Sequence, residues 1–255
     1  MTIMKKQLRH LLAALALLLP LAVMAEEGGP ALDKAPIDIQ DTESLQRGAQ
    51  IFVNYCLSCH SANSMRYNRL TDIGLSEDQI KKNLMFTTDK IGDTMRSNME
   101  AADGAKWFGN PPPDLSVEAR ARGADWIYTY LRSFYRDPSR PTGWNNLVFD
   151  KVAMPHVLSA WQGEQELRTV KGADGQEVKQ LVLVTPGTMT SISNGRAHVA
   201  EYNQRVADLT NFLVFMSEPA KVTRLQIGYG VLMFLALLLL PFAYFLKKEY
   251  WKDVH

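Results

Sequence analysis

Cysteine is nearly missing from this chain: 255 residues hold two, at positions 56 and 59. That count excludes a zinc site built from two cysteine pairs. A disulfide between the two would close a loop too small to stabilise much. Net charge is scarce as well, a formal +1 at pH 7 with no basic stripe, so the electrostatic footprint of a nucleic-acid binder is absent. No internal repeat or low-complexity tract is visible. Charge of either sign is absent altogether from residues 225–246, LQIGYGVLMFLALLLLPFAYFL.

That uncharged block is long enough to cross a membrane. Twenty-two residues at about 1.5 Å each span about 33 Å, the thickness of a bilayer's hydrocarbon core. Lys247, Lys248 and Lys252 follow it, as the positive-inside rule asks of a cytoplasmic flank, and Tyr244, Tyr250 and Trp251 suit an interfacial belt. A second apolar block, LLAALALLLPLAVMA at 11–25, is short, follows Lys5, Lys6 and Arg9, and ends with Val23 and Ala25. A basic start, a short apolar run and small residues before the cut describe a signal peptide over 1–25. The expected organisation is a leader (1–25), an exported domain (26–224), a transmembrane helix (225–246) and a cytoplasmic tail (247–255). In a bacterium the exported domain lies in the periplasm, anchored to the inner membrane. It carries 22 basic and 25 acidic residues.

Within that domain the periodicity is mostly helical. TESLQRGAQIFVNYC places Leu45, Gly48, Ala49, Phe52 and Val53 on one stripe, with Thr42 or Ser44 as cap. The spacing predicts further helices over 75–86, capped by Ser76, over 117–135 with a break near Gly123, and over 200–220. The prolines of GNPPPDLS (109–116) exclude helix there. RDPSRPTGWNN (136–146) reads as loop, and 165–184 as a small hairpin. The result is a mainly α domain with long loops, and loops of that length need something to organise them.

The two cysteines sit in NYCLSCHSA (54–62), with His60 next to the second. A thioredoxin-like pair would follow a strand of a βαβ unit, and this one follows a helix. The spacing Cys-x-x-Cys-His is that of c-type haem attachment. Cys56 and Cys59 would bond the two vinyl groups of one porphyrin, and His60 would reach the iron. A sixth ligand of methionine raises the potential. Met154, in DKVAMPHVL, has 94 residues of chain after His60 in which to wrap the far face; Met189, in TPGTMTS, is the alternative. His156 and His198 leave a bis-histidine site open. Buried propionates need donors or cations. Arg120 and Arg122 are candidates, or else a solvated helix face.

Several segments taken in order carry a resemblance: RGAQIFVNYCLSCHSA, NPPPDLSVEARARGADWIY, VAMPHVL, VADLTNFLVFMSEPA and the single C-terminal span with its basic tail. Together they resemble the cytochrome c1 family, over most of the mature chain. The resemblance implies a class I cytochrome c-like domain with one covalent haem c. It implies Cys56, Cys59 and His60 as the haem motif, Met154 as axial ligand, Arg122 at a propionate, and Asn110 and Pro112 in the turn that walls the haem. The chain departs from the mitochondrial pattern at Trp126, where tyrosine is expected. The resemblance further implies a place beside cytochrome b and a Rieske iron–sulfur protein in a quinol-oxidising bc1 complex, itself dimeric. The chain would take an electron from the Rieske protein and pass it to a soluble or anchored cytochrome c, catalysing nothing alone. The alternative is a haem c subunit of another membrane oxidase or dehydrogenase. A haem peroxidase or a gas sensor would need a free or labile sixth position, which Met154 argues against.

Overall fold

The computed structural model describes residues 31–250 except 172–174 and 176, together with Lys252. The expected leader over 1–25 lies outside the described residues. The first helix, α1 (Thr42–Ile51), starts at Asp41, whose carboxylate accepts from the Ser44 amide at 3.0 Å. Neither Thr42 nor Ser44 caps it: an anion one residue earlier meets the same free amides and the positive end of the helix. Leu45, Ala49 and Phe52 turn inward, all buried. They meet α7 (Ala200–Ser217), with the Phe52 and Phe212 rings 5.7 Å apart.

The two helices touch at Gly48. A Cβ there would lie 2.1 Å from the Asp208 carbonyl oxygen and 2.6 Å from the Phe212 Cβ. Only glycine lets the backbones cross at this distance. Beside the crossing, Asp208 is fully buried and accepts from Arg47 Nε at 2.7 Å and Ser44 Oγ at 2.8 Å. The expected stripe Val206, Leu209, Phe212, Leu213 and Met216 is buried, but so are Asp208, Thr210 and Asn211. Helix α7 is therefore a central helix, not a surface helix with a wet face; Asp208 is paired, while Asn211 Oδ1 has no hydrogen-bond partner among the described residues.

Between α1 and α7 the chain is largely short elements. β1 (Ala62–Arg66) pairs antiparallel with β2 (Thr94–Met95) around α2 (Glu77–Asn83), which Ser76 and Gln79 cap reciprocally. Next come α3 (Ala101–Phe108), α4 (Glu118–Arg122) and α5 (Ala124–Arg132), the last two separated at Gly123, whose φ of 89° breaks the helix where the sequence predicts. The stretch read as loop after 136 contains a strand: β3 (Phe134–Arg136) pairs with β4 (Trp144–Asn146). Periodicity could not reveal strands of three residues. A one-turn helix, α6 (Ser159–Gln162), leads into the expected hairpin β5 (Gly163–Lys171) and β6 (Glu177–Pro186), and a smaller hairpin β7 (Ser191–Ser193) and β8 (Arg196–His198) follows.

After α7, residues 218–220 lead into α8 (Lys221–Tyr250), a helix of 30 residues. It extends past the uncharged block at both ends, so Lys247 and Lys248 are helical too. Its apolar side chains, such as Leu237 and Phe234, are exposed. Exposed aliphatic surface of this extent suits a lipid or protein environment in the membrane, not water.

The lead-in 31–40 is pinned to α5. The Asp125 carboxylate accepts from the Ala35 amide at 2.9 Å and from Lys34 Nζ at 3.2 Å. The bond from the Ala35 amide, and then Lys34, hold the Asp125 carboxyl below the usual range. A depressed carboxyl stabilises the fold above its unfolded value of about 3.9 and ceases to do so as pH falls through the lower folded value. We expect hydrogen-exchange protection of the Ala35 amide to be constant from pH 7 to about 4 and to fall below that. In Asp125→Asn the acid-dependent step should vanish; an unchanged step would assign it to another group.

Candidate haem site

A cavity of about 360 Å³ lies between the end of α1, the proline strip, α5 and the loop before α6. It is lined mainly by apolar side chains, with Leu209 and Leu213 of α7 at its floor. Its first wall follows from how α1 ends. Residues Phe52–Cys56 continue the helix as a π-helical turn, and the amide of His60 then closes on the Cys56 carbonyl at 2.8 Å. Such widened turns concentrate at functional sites. Here the turn delivers Cys56, Cys59 and His60 to the same cavity wall.

No disulfide joins the two cysteines. Burial, and then the neighbouring Cys59, push the Cys56 thiol up to about 12, so it is neutral at physiological pH. The His60 Nδ1 lies 2.8 Å from the Pro113 carbonyl oxygen. A carbonyl only accepts, so Nδ1 carries the hydrogen and the lone pair is on Nε2. Burial lowers the His60 pKa, opposed in part by that same bond and by Glu118 and Asp114. A neutral imidazole with one nitrogen fixed by a carbonyl is the form that ligates a metal.

The second wall is the proline strip. Asn110, Pro112 and Pro113 all line the cavity. The strip is laced to the segment after His60. The Leu115 amide donates to the Ser61 carbonyl at 2.8 Å, the Asn63 amide to Asp114 at 2.8 Å and the Ser64 amide to Ser116 Oγ at 2.9 Å. Burial pushes the Asp114 carboxyl up, but bonds from Ser116 and Asn63 outweigh it and hold it below the usual range.

Met154 and Pro155 also line the cavity. Their loop is organised by two buried asparagines. Asn146 Oδ1 accepts from the amides of Val148 and Phe149, and Asn145 Oδ1 accepts from the Lys151 amide at 2.8 Å. The other methionine candidate, Met189, packs against the core outside the cavity lining, and Met65 and Met95 are core side chains. His198 is exposed. His156 is buried, stacked on Phe134 at 4.8 Å, and also lies outside the lining. Burial is the main cause that lowers the His156 pKa to about 4.

Of the arginine pair, Arg122 reaches the cavity and Arg120 does not; Arg120 is exposed. Arg122 Nε donates to Glu118 at 3.1 Å, and its guanidinium sits 4.8 Å from the Trp126 ring centre. Sequence reasoning missed the face of α5. Trp126, Ile127, Tyr130 and Leu131 line the cavity, and their i, i+4 spacing is a helical stripe that core packing would equally explain.

The residues present fit a c-type haem: two cysteines outside any disulfide, an oriented imidazole and a thioether share one apolar cavity. Among the described residues, no group of three or more His, Cys, Asp and Glu is placed to hold a bare metal ion. Comparison with known proteins gives the same reading. The family model described as the cytochrome C1 family matches residues 33–254.

The chain belongs to the cytochrome c1 family.

It is similar to cytochrome c1 of Allochromatium vinosum, 47% identical over 96% of this chain and 98% of that protein. It is also similar to a Nitrosomonas europaea protein named ammonia monooxygenase gamma subunit, 51% identical over 98% of this chain and 100% of the other. Cytochrome c1 of Rhodospirillum rubrum is 29% identical over 99% of this chain. As a cytochrome c1, the chain is an electron-transport protein with covalently attached haem c, a class I c-type fold and one C-terminal helix long and apolar enough to span a membrane.

Proposed function

We propose that this cytochrome c1 accepts an electron from a Rieske iron–sulfur protein and passes it to a cytochrome c, inside a quinol-oxidising complex that also contains cytochrome b. The observation that carries the reading is the convergence of Cys56, Cys59, His60 and Met154 on one cavity. A relative from Bradyrhizobium diazoefficiens, 25% identical over 84% of this chain, is named cytochrome b/c1, which supports the partnership with cytochrome b. Haem, when bound, supplies one-electron chemistry. Cys56 and Cys59 would anchor its edge by thioethers, and His60 Nε2 and the Met154 sulfur would hold the iron. Arg122 offers a propionate a guanidinium at the cavity, with Arg120 nearby in sequence, and Asn110 and Pro112 wall the group in. The haem domain, residues 26–224, lies in the periplasm, the span at 225–246 crosses the inner membrane, and the tail from 247 is cytoplasmic. The leader over 1–25 is removed, and the complex is a dimer.

The test is purification of the protein from its own membranes in mild detergent. A reduced-minus-oxidised spectrum with b haems, an EPR signal of a Rieske cluster and quinol oxidation are expected together. A second reading, a haem c subunit of another membrane oxidase, draws on the name of the Nitrosomonas europaea relative. It would be adopted if the c haem copurified with an oxygen-using metal enzyme and without a Rieske cluster.

A further inference from the structure

Tyr130 lines the cavity, and the proposed function gives it no role. Its hydroxyl donates to the Met154 sulfur at 3.4 Å. A thioether is a weak acceptor, and burial pushes the phenol up, with Arg122 opposing, so the hydroxyl keeps its hydrogen near neutral pH. The ring is locked from several sides. It stacks on Trp126 at 4.9 Å and 10°, and meets Phe134 edge-on at 5.1 Å. Its own backbone carbonyl accepts from Asn146 Nδ2 at 2.8 Å, tying α5 to the start of the methionine loop. On the outer side of Trp126 sits the Arg122 guanidinium, 4.8 Å from the ring centre. A cation, an indole and a phenol therefore run in file toward one sulfur.

We infer that Tyr130 sets the reduction potential of the haem through its bond to the Met154 sulfur. The inference rests on Met154 being the axial ligand. A donor on the sulfur draws electron density away from it, and the positive end of the O–H dipole faces the sulfur. Ferric iron carries one more positive charge than ferrous iron, so the bond disfavours the ferric state and raises the potential. Second-shell hydrogen bonds are an established lever on such centres. Only part of the energy of such a bond differs between the two redox states, so the expected effect is modest. Tyr130 is thus a positioning and tuning residue that acts through Met154.

The measurement is a redox titration of the c haem in the full chain, purified in its complex, with the ferric methionine-to-iron charge-transfer band recorded in parallel. In Tyr130→Phe we expect the band to persist and the reduced-to-oxidised ratio at fixed ambient potential to fall about threefold, which is about 28 mV at 59 mV per tenfold. A ring-fluorinated tyrosine at 130 is a stronger donor of nearly the same shape, and should move the ratio the opposite way. A merely structural role would not give opposite signs. Unchanged ratios, or shifts of the same sign in both variants, overturn the inference. A charge-transfer band missing from the unaltered protein would instead overturn the ligand reading for Met154, so the two failures are told apart. Should Tyr130→Phe fail to assemble, the fluorinated protein alone decides the sign.

Discussion

We expect Met154→Leu to abolish the methionine charge-transfer band and to lower the potential of the c haem by a few tenths of a volt, within the about 0.8 V that axial ligands span. Leucine keeps nearly the volume of methionine and costs a well-packed site under about 1.5 kcal/mol, so the protein should still fold and attach haem. If Met154 is the sixth ligand, that position should become open or be taken by water. The reduced variant should then bind carbon monoxide, which the unaltered protein should refuse. His156 sharpens the test. It stands two residues from Met154, buried, with its Nε2 lacking a hydrogen-bond partner among the described residues. Its ring is held by Phe134 at 4.8 Å and by Trp144 edge-on at 5.0 Å. We expect that clamp to hold and carbon monoxide to bind. Failure to bind, with a bis-histidine spectrum in its place, would show that the loop can repack. A Met154→Leu protein with its band and potential intact would remove Met154 from the iron.

Gly48→Ala should destabilise the protein by about 3 kcal/mol or more, beyond the usual range for an added methyl in a core. Two effects compete. In an exposed helix the same change stabilises by about 1 kcal/mol, because alanine is the better helix former. Here the added carbon would stand 2.1 Å from a backbone oxygen of α7, an atom that cannot turn aside as a side-chain tip can. The helices must part, and the Arg47–Asp208 pair and the Phe52–Phe212 contact lie beside the joint. The midpoint of the Soret shift on heating the detergent-solubilised full chain measures it. A midpoint equal to or above that of the unaltered protein would mean that α1 and α7 do not cross at this residue.

The stretches most legible in the sequence were those where one cause dominates. Ser76, Gly123 and the stripe on α7 each declare themselves by a local rule, and the haem motif is a fixed chemical spacing. The rest depends on contacts made across the chain. Asp41 outcompetes Thr42 as a cap because the helix actually starts one residue earlier, which periodicity does not resolve. Asp208 reads as the polar side of α7 until Arg47 and Ser44 arrive from a segment 160 residues away to bury it. Arg120 and Arg122 are indistinguishable in RAR; the turn of α4 alone decides which one reaches the cavity. Tyr130 reads as core, and its bond to sulfur becomes visible only when the Asn145–Asn146 loop brings Met154 back across it.

The joint between α7 and α8 has a mechanical consequence. Residues 218–220 leave about 10 Å of chain even when fully extended, and Arg224 reaches back to Glu218 at 2.7 Å, bracing the corner. A tether so short gives the domain little swing on its anchor. On the proposed function the cavity is a fixed berth, and a carrier that exchanges electrons there would have to do its own travelling.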